Sequence, residues 1–142
     1  MYVVNRTRGT YLGVEIAVAS TLRTRMLGLY ARRRLHLGDG VWLVPCNSVQ
    51  TIGMRCPVDV IFLDAAGSAV RVHQNVVPGR VIWPVRRAHS ALEVPAGAVQ
   101  SSETQIGDQI EFVEDLDHPG SGGAQDADGG GRRTGSPTPA HR

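Results

Sequence analysis

The chain contains no lysine and only two cysteines in 142 residues. Its cationic side chains are all arginine, fifteen of them against thirteen acidic residues, which leaves a formal net charge of +2. So small an excess is not the electrostatic footprint of a nucleic-acid binder. Cys46 and Cys56 form no Cys-x-x-Cys pair and have no neighbouring pair of histidines, so neither a zinc site nor a disulfide framework is supported. The start of the chain, Met1 to Arg6, lacks the basic and apolar segments of a secretory signal. No run approaches the ~20 apolar residues of a membrane span. The expectation is a cytoplasmic protein with no metal, no cofactor, and neither nucleic acid nor membrane as a partner.

What is present fits one domain, because single domains cluster at roughly 100–150 residues. Apolar residues make up 42% of the chain, a little under the roughly 45–50% usual for globular proteins. Part of that deficit is local. From Asp117 onward the sequence is Gly, Ser, Pro, Asp and Arg with no large apolar side chain. Such a stretch cannot bury enough surface to offset an ordering cost of roughly 1–2 kcal/mol per residue. Residues 1–116 are therefore read as one globular domain and 117–142 as a disordered tail, with a tethered interaction segment as its alternative.

The domain reads as mainly β, an α+β arrangement of short strands with one main helix. Tyr2 to Val4 and Tyr11 to Val18 have strand character around the Arg8-Gly9 turn. Ser20 or Thr21 is positioned to cap a helix carrying Leu22, Met26 and Leu29 on one stripe, and Arg32 to Arg34 suit its C-terminal end. Val41 to Val44 reads as a strand stopped by Pro45. In Val58 to Leu63 both alternating faces are largely apolar, which predicts a central, covered strand. Asp64 to Gly67 turns it into a hairpin with Ala69 to Val77, expected at the centre of the sheet. Two further strands are expected at Ala91 to Val94 and Gln109 to Val113.

Gly28-Leu29, the run Gly53-Met54-Arg55-Cys56-Pro57-Val58-Asp59-Val60-Ile61-Phe62-Leu63-Asp64, Leu92-Glu93-Val94-Pro95-Ala96-Gly97 and Gly107-Asp108 recur in that order. In this respect the chain resembles the domain of unknown function 192 family. The resemblance covers Glu15 to Val113 and implies a compact, barrel-like, mainly β domain of bacterial or archaeal type, with no assigned activity. Relatives often carry a histidine immediately before the threonine at this chain's Thr51, where Gln50 stands instead. An amide does not titrate near neutral pH, so chemistry needing that histidine as a base has no equivalent here.

The loop from Pro45 to Arg55 concentrates thiol, hydroxyl and amide groups between two strands, the usual setting for binding residues. Its candidates are Cys46, Ser48, Gln50, Thr51, Met54 and Arg55. Asp59 joins them because a carboxylate beside Ile61 and Leu63 needs a partner when buried, and Arg55 or backbone N–H groups are available. A lock between loop and strand and a ligand contact are both open readings of Asp59. Glu93 poses the same question, or simply marks the wet face of a strand. Trp42, Met54 and Trp83 either line an apolar slot or belong to the core. Cys46 as a nucleophile lacks a base, since His36, His73 and His89 fall in separate elements. The residues favour a non-enzymatic ligand-binding or accessory domain with a pocket near Cys46 to Asp59, for an unidentified small molecule or protein. The alternatives are a hydrolase-like enzyme using Asp59 and Glu93 as a carboxylate pair, or a protein-interaction module.

Overall fold

A computed structural model describes residues 1–20 and 36–114. The expected main helix after Ser20 and the expected tail lie outside the described residues. The amino-terminal hairpin forms as expected, from β1 (Tyr2–Asn5) and β2 (Thr10–Gly13). The strand expected to run on to Val18 instead breaks at Val14, and β3 (Glu15–Ala19) leaves for a different sheet. A Cβ at Gly13 would lie 2.6 Å from Ile16 Cδ1 and 3.3 Å from the Gly38 carbonyl, so the chain passes close to its neighbours at this crossover.

Next come β4 (Asp39–Leu43), the short β5 (Val49–Gln50), β6 (Val58–Leu63), β7 (Ala69–Val76), the short β8 (Val81–Ile82) and β9 (Ser90–Pro95). A five-residue helix, α1 (Ala98–Ser102), then leads to β10 (Ile110–Val113). They build three sheets, ordered β10-β1-β2, β3-β4-β9-β6-β7 and β5-β8. The domain is thus mainly β, as expected, but its sheets are not closed into a barrel. The expectation that β6 and β7 form the centre is also corrected: β9 is the middle strand and β7 lies at an edge.

Every residue of β6 is buried, because the five-stranded sheet is covered on both sides. On its first face Ile61, Leu63, Leu92 and Val94 pack with Val3, Leu12 and Ile110 of the small sheet and with Val99 of α1. Trp42 lies against this cluster, its ring stacked on Phe112 at 3.9 Å. On the second face Val41, Val58, Val60, Phe62 and Ala91 pack with Val49 and Met54, which come from the arm containing β5.

The small sheet is fastened to the carboxyl-terminal segment by polar groups. Asn5, fully buried, donates to the Thr104 hydroxyl at 3.0 Å and to Asp108 at 2.9 Å, and accepts from the Arg8 backbone at 3.1 Å. Burial pushes the Asp108 carboxyl up, but hydrogen bonds from Arg8, Asn5 and the Gln105 N–H outweigh it and hold the pKa below the ordinary value. Replacing Asn5 with alanine strands several of these groups, each worth about 1–3 kcal/mol when left unpaired. Asn5→Ala is expected to lower the unfolding free energy by about 2 kcal/mol in urea titration; a change within the error of extrapolation would contradict the clasp.

Candidate functional site

Asp59 is completely buried on the first face of the sheet, opposite Val94 of β9. Its carboxylate accepts three backbone hydrogen bonds, from Asn75 at 2.8 Å, Gly97 at 3.0 Å and Val99 at 2.9 Å. The Gly97 and Val99 donors belong to the start of α1, where helical N–H groups lack intrahelical partners and no local side chain caps them. Asn75 adopts a left-handed conformation, φ 53°, where the β6–β7 register shifts. Asp59 is therefore a lock, supplied by backbone donors rather than by Arg55, which is exposed.

Thr51 is likewise committed to the fold. Its hydroxyl donates to Val77 O at 2.8 Å and accepts from the Arg80 N–H at 2.9 Å, holding the turn that leads into β8. Gln50 is exposed, and its amide oxygen accepts from the Ile52 N–H at 2.7 Å. Met54 is core. Trp42, Met54 and Trp83 share no slot: Trp42 packs on the first face, Met54 on the second, and Trp83 is exposed.

Two features remain for ligand chemistry. One is an open cleft of about 300 Å³ lined by Pro45, Cys46, Asn47, Ser48, Ala88 and His89. Cys46 N–H donates to His89 O at 2.9 Å, and the Asn47 carbonyl accepts from Val85 at 2.7 Å, so these distant segments form one wall. The Cys46 thiol donates to Ser48 O at 3.0 Å. Sequence reasoning separated His89 from Cys46; only the antiparallel pairing of β4 with β9 brings them together.

The other feature is Glu93. Register aligns Ala17, Val41, Glu93, Val60 and His73 in one row across all five strands. Directly opposed residues share a face, so this row lies on the second face, with the buried valines on either side of the carboxylate. Glu93 is partly buried at the middle strand, and among the described residues nothing bonds its carboxylate. Burial without compensation pushes its pKa up to about 7. The other ionisable side chains assigned to this face by register are Glu15, Asp39, Arg71 and His73. His73, edge-on to Phe62, is shifted below its ordinary value by burial and then by Arg71.

Asp59 and Glu93 occupy adjacent rows, so their side chains leave β6 and β9 on opposite faces. The carboxylate pair that the hydrolase alternative calls for does not form. Among the described residues there is no group of three or more His, Cys, Asp or Glu able to hold a metal ion, and no helix is long and apolar enough to cross a membrane.

Two measurements separate the carboxylates. Asp59→Asn turns an acceptor into a donor facing backbone N–H groups, and should cost about 2–4 kcal/mol of stability in denaturant unfolding; an unchanged midpoint would contradict the lock. Glu93 has its pKa raised on folding from 4.5 to about 7, so the folded state binds its proton more tightly. The stability this confers is full below pH 4.5 and is lost as pH rises to about 7. Raising the carboxyl from 4.5 to about 7 corresponds to about 3 kcal/mol. Wild-type stability minus that of Glu93→Gln should show this fall between pH 4 and 8, and a flat difference would contradict it.

Comparison with known proteins places these features in a family context. The chain is 28% identical over 115 residues to a UPF0127 protein of Pyrococcus furiosus, covering 78% of this chain and 97% of that protein. A UPF0127 protein of Pyrococcus horikoshii is 29% identical over 116 residues, with the same coverage of both chains. In three dimensions the fold is similar to a crystal structure of a protein of unknown function from Novosphingobium aromaticivorans, with a TM-score of 0.66 and 22% identity over 79% of this chain and 84% of that one. The profile of the DUF192 family, described as uncharacterized ACR, matches residues 3–112. With β2 through β9 wholly inside that match and all but one residue of β1 and of β10, this chain belongs to the DUF192 family.

Proposed function

We propose that this chain is a small-molecule-binding domain whose anchoring group is Glu93, on the second face of the five-stranded sheet. The observation that carries this reading is an unpartnered carboxylate at the middle strand, set between two buried valines. The fold gains nothing visible from an acid there, whereas Asp59, Thr51 and Met54 are each accounted for by packing or hydrogen bonding. A ligand carrying an ammonium or a hydrogen-bond donor supplies what the carboxylate lacks.

The cleft at Cys46, Asn47, Ser48 and His89 belongs to the same reading. His89 precedes Glu93 by four residues along the β9 segment, so at ~3.3 Å per residue the two lie roughly 13 Å apart. Both are separated by an even number of residues and so share a face in an extended chain. The cleft offers hydroxyl, amide and imidazole groups to the polar end of an extended ligand. The arrangement supports binding over turnover, because the two-carboxylate mechanism lacks its second member.

A thermal-shift panel of primary amines, amino sugars and polyols, run on the full chain and on Glu93→Gln, tests the proposal. A stabilising amine should bind more weakly below pH 7, by up to tenfold per pH unit, as Glu93 takes up its proton. The same compound should lose at least tenfold in affinity with Glu93→Gln, whose fold is retained. Equal shifts in both proteins, or none with any member of the panel, would count against the site.

A further inference from the structure

The arm formed by β5 and β8 has one face with no role in the core. Val49 and Ile82 pair and turn inward to the second-face cluster. The opposite face carries Gln50 and Val81, which also pair, with Trp83 two residues beyond Val81 and Ile52 in the turn that follows Gln50. Ile52, Val81 and Trp83 are 59%, 57% and 80% exposed. Val77, held beside Thr51 by its carbonyl, is 41% exposed and extends the apolar surface. An aromatic and three aliphatic side chains grouped this way form a patch rather than scattered surface residues.

The same arm is rich in one sign of charge. Arg55, Arg80, Arg86 and Arg87 are all exposed, and none of them has a carboxylate partner among the described residues. The sequence contains no Asp or Glu from Gly40 to Val58, nor from Ala65 to Leu92. The described acids lie in other segments: Glu15 on β3, Asp39 on β4, Asp59 on β6 and Asp64 just after it, Glu93 on β9, and Glu103, Asp108, Glu111 and Glu114 around α1 and β10. Among the described residues, the arm therefore joins exposed apolar side chains to arginines that no acid neighbours in sequence.

We infer that the outward face of the β5–β8 arm docks on an anionic lipid surface, with Trp83, Val81 and Ile52 entering the headgroup layer and Arg55, Arg80, Arg86 and Arg87 meeting lipid phosphates. This is surface association and requires no membrane-spanning segment. Tryptophan favours the membrane interface, where its ring is apolar and its N–H stays wet. Basic residues add attraction to anionic headgroups. A nucleic acid would reward the arginines and Trp83 but offers nothing to Ile52, Val77 and Val81. A symmetric dimer through this face would set like arginine clusters against each other. The inference is independent of the Glu93 site, which lies on the core side of the arm.

The test uses the full chain with vesicles of phosphatidylcholine alone and of phosphatidylcholine with one-third phosphatidylglycerol. The protein should sediment with the anionic vesicles and not with the neutral ones, and release as salt is raised. Trp42 is stacked on Phe112 within the protein, so a blue shift in emission on binding reports Trp83. Trp83→Ala should abolish that shift and weaken binding. The pair Arg86→Gln with Arg87→Gln should weaken binding by about thirty-fold, equivalent to about 1 kcal/mol per arginine. These positions are exposed, and unchanged melting temperatures would show the variants folded. No sedimentation with anionic vesicles, equal sedimentation with neutral ones, or binding indifferent to both variants would overturn the inference. So would tighter binding to a single-stranded oligonucleotide than to vesicles, or a dimer that shields Trp83.

Discussion

The structure turns on the carboxylate of Asp59. Three backbone N–H groups from two separate stretches of chain converge on it inside the core. Without that acceptor, the left-handed residue at Asn75 and the first turn of α1 would each leave a buried donor unpaired, and β6 would lose its fixed relation to both. The donors are oriented by the fold and satisfy both of its oxygens. Short strands and a five-residue helix have little cohesion of their own; one buried acceptor joins them.

Glu93 shows the opposite arrangement one row away. Both acids sit on neighbouring central strands with apolar residues on either side, yet one has three donors and the other none. The difference is the face. Asp59 points toward the layer where α1 and the small sheet bring backbone ends together, while Glu93 points toward aliphatic side chains. A carboxylate in such surroundings resists ionisation, and at neutral pH it is poised between its two states. This separates a group the fold requires from one it merely accommodates.

The arm is a third region with its own logic. Thr51 fixes its base through the backbone of Val77 and Arg80, so the outward face is held in place despite having only a two-residue ladder. Its inner side completes the core with Val49, Met54 and Ile82. The exposed side combines aliphatic, aromatic and guanidinium groups.

The sequence determined the local pieces: the hairpin at Arg8-Gly9, the doubly covered strand Val58 to Leu63, its turn into β7, and the last two strands all follow from alternation and turn chemistry. It also marked Asp59 and Glu93 as acids among apolar residues. Tertiary structure alone decided the order β3-β4-β9-β6-β7, which moved β9 to the middle and β7 to an edge. It also decided that His89 meets Cys46 and that Asp59 is satisfied while Glu93 is not. Alternation says which side chains share a face, but not which distant strand lies alongside. Whether a buried acid is locked or free depends on donors brought by segments far away in sequence. For Asp59 those donors are backbone N–H groups, which every residue except proline possesses, so no side-chain pattern could announce them.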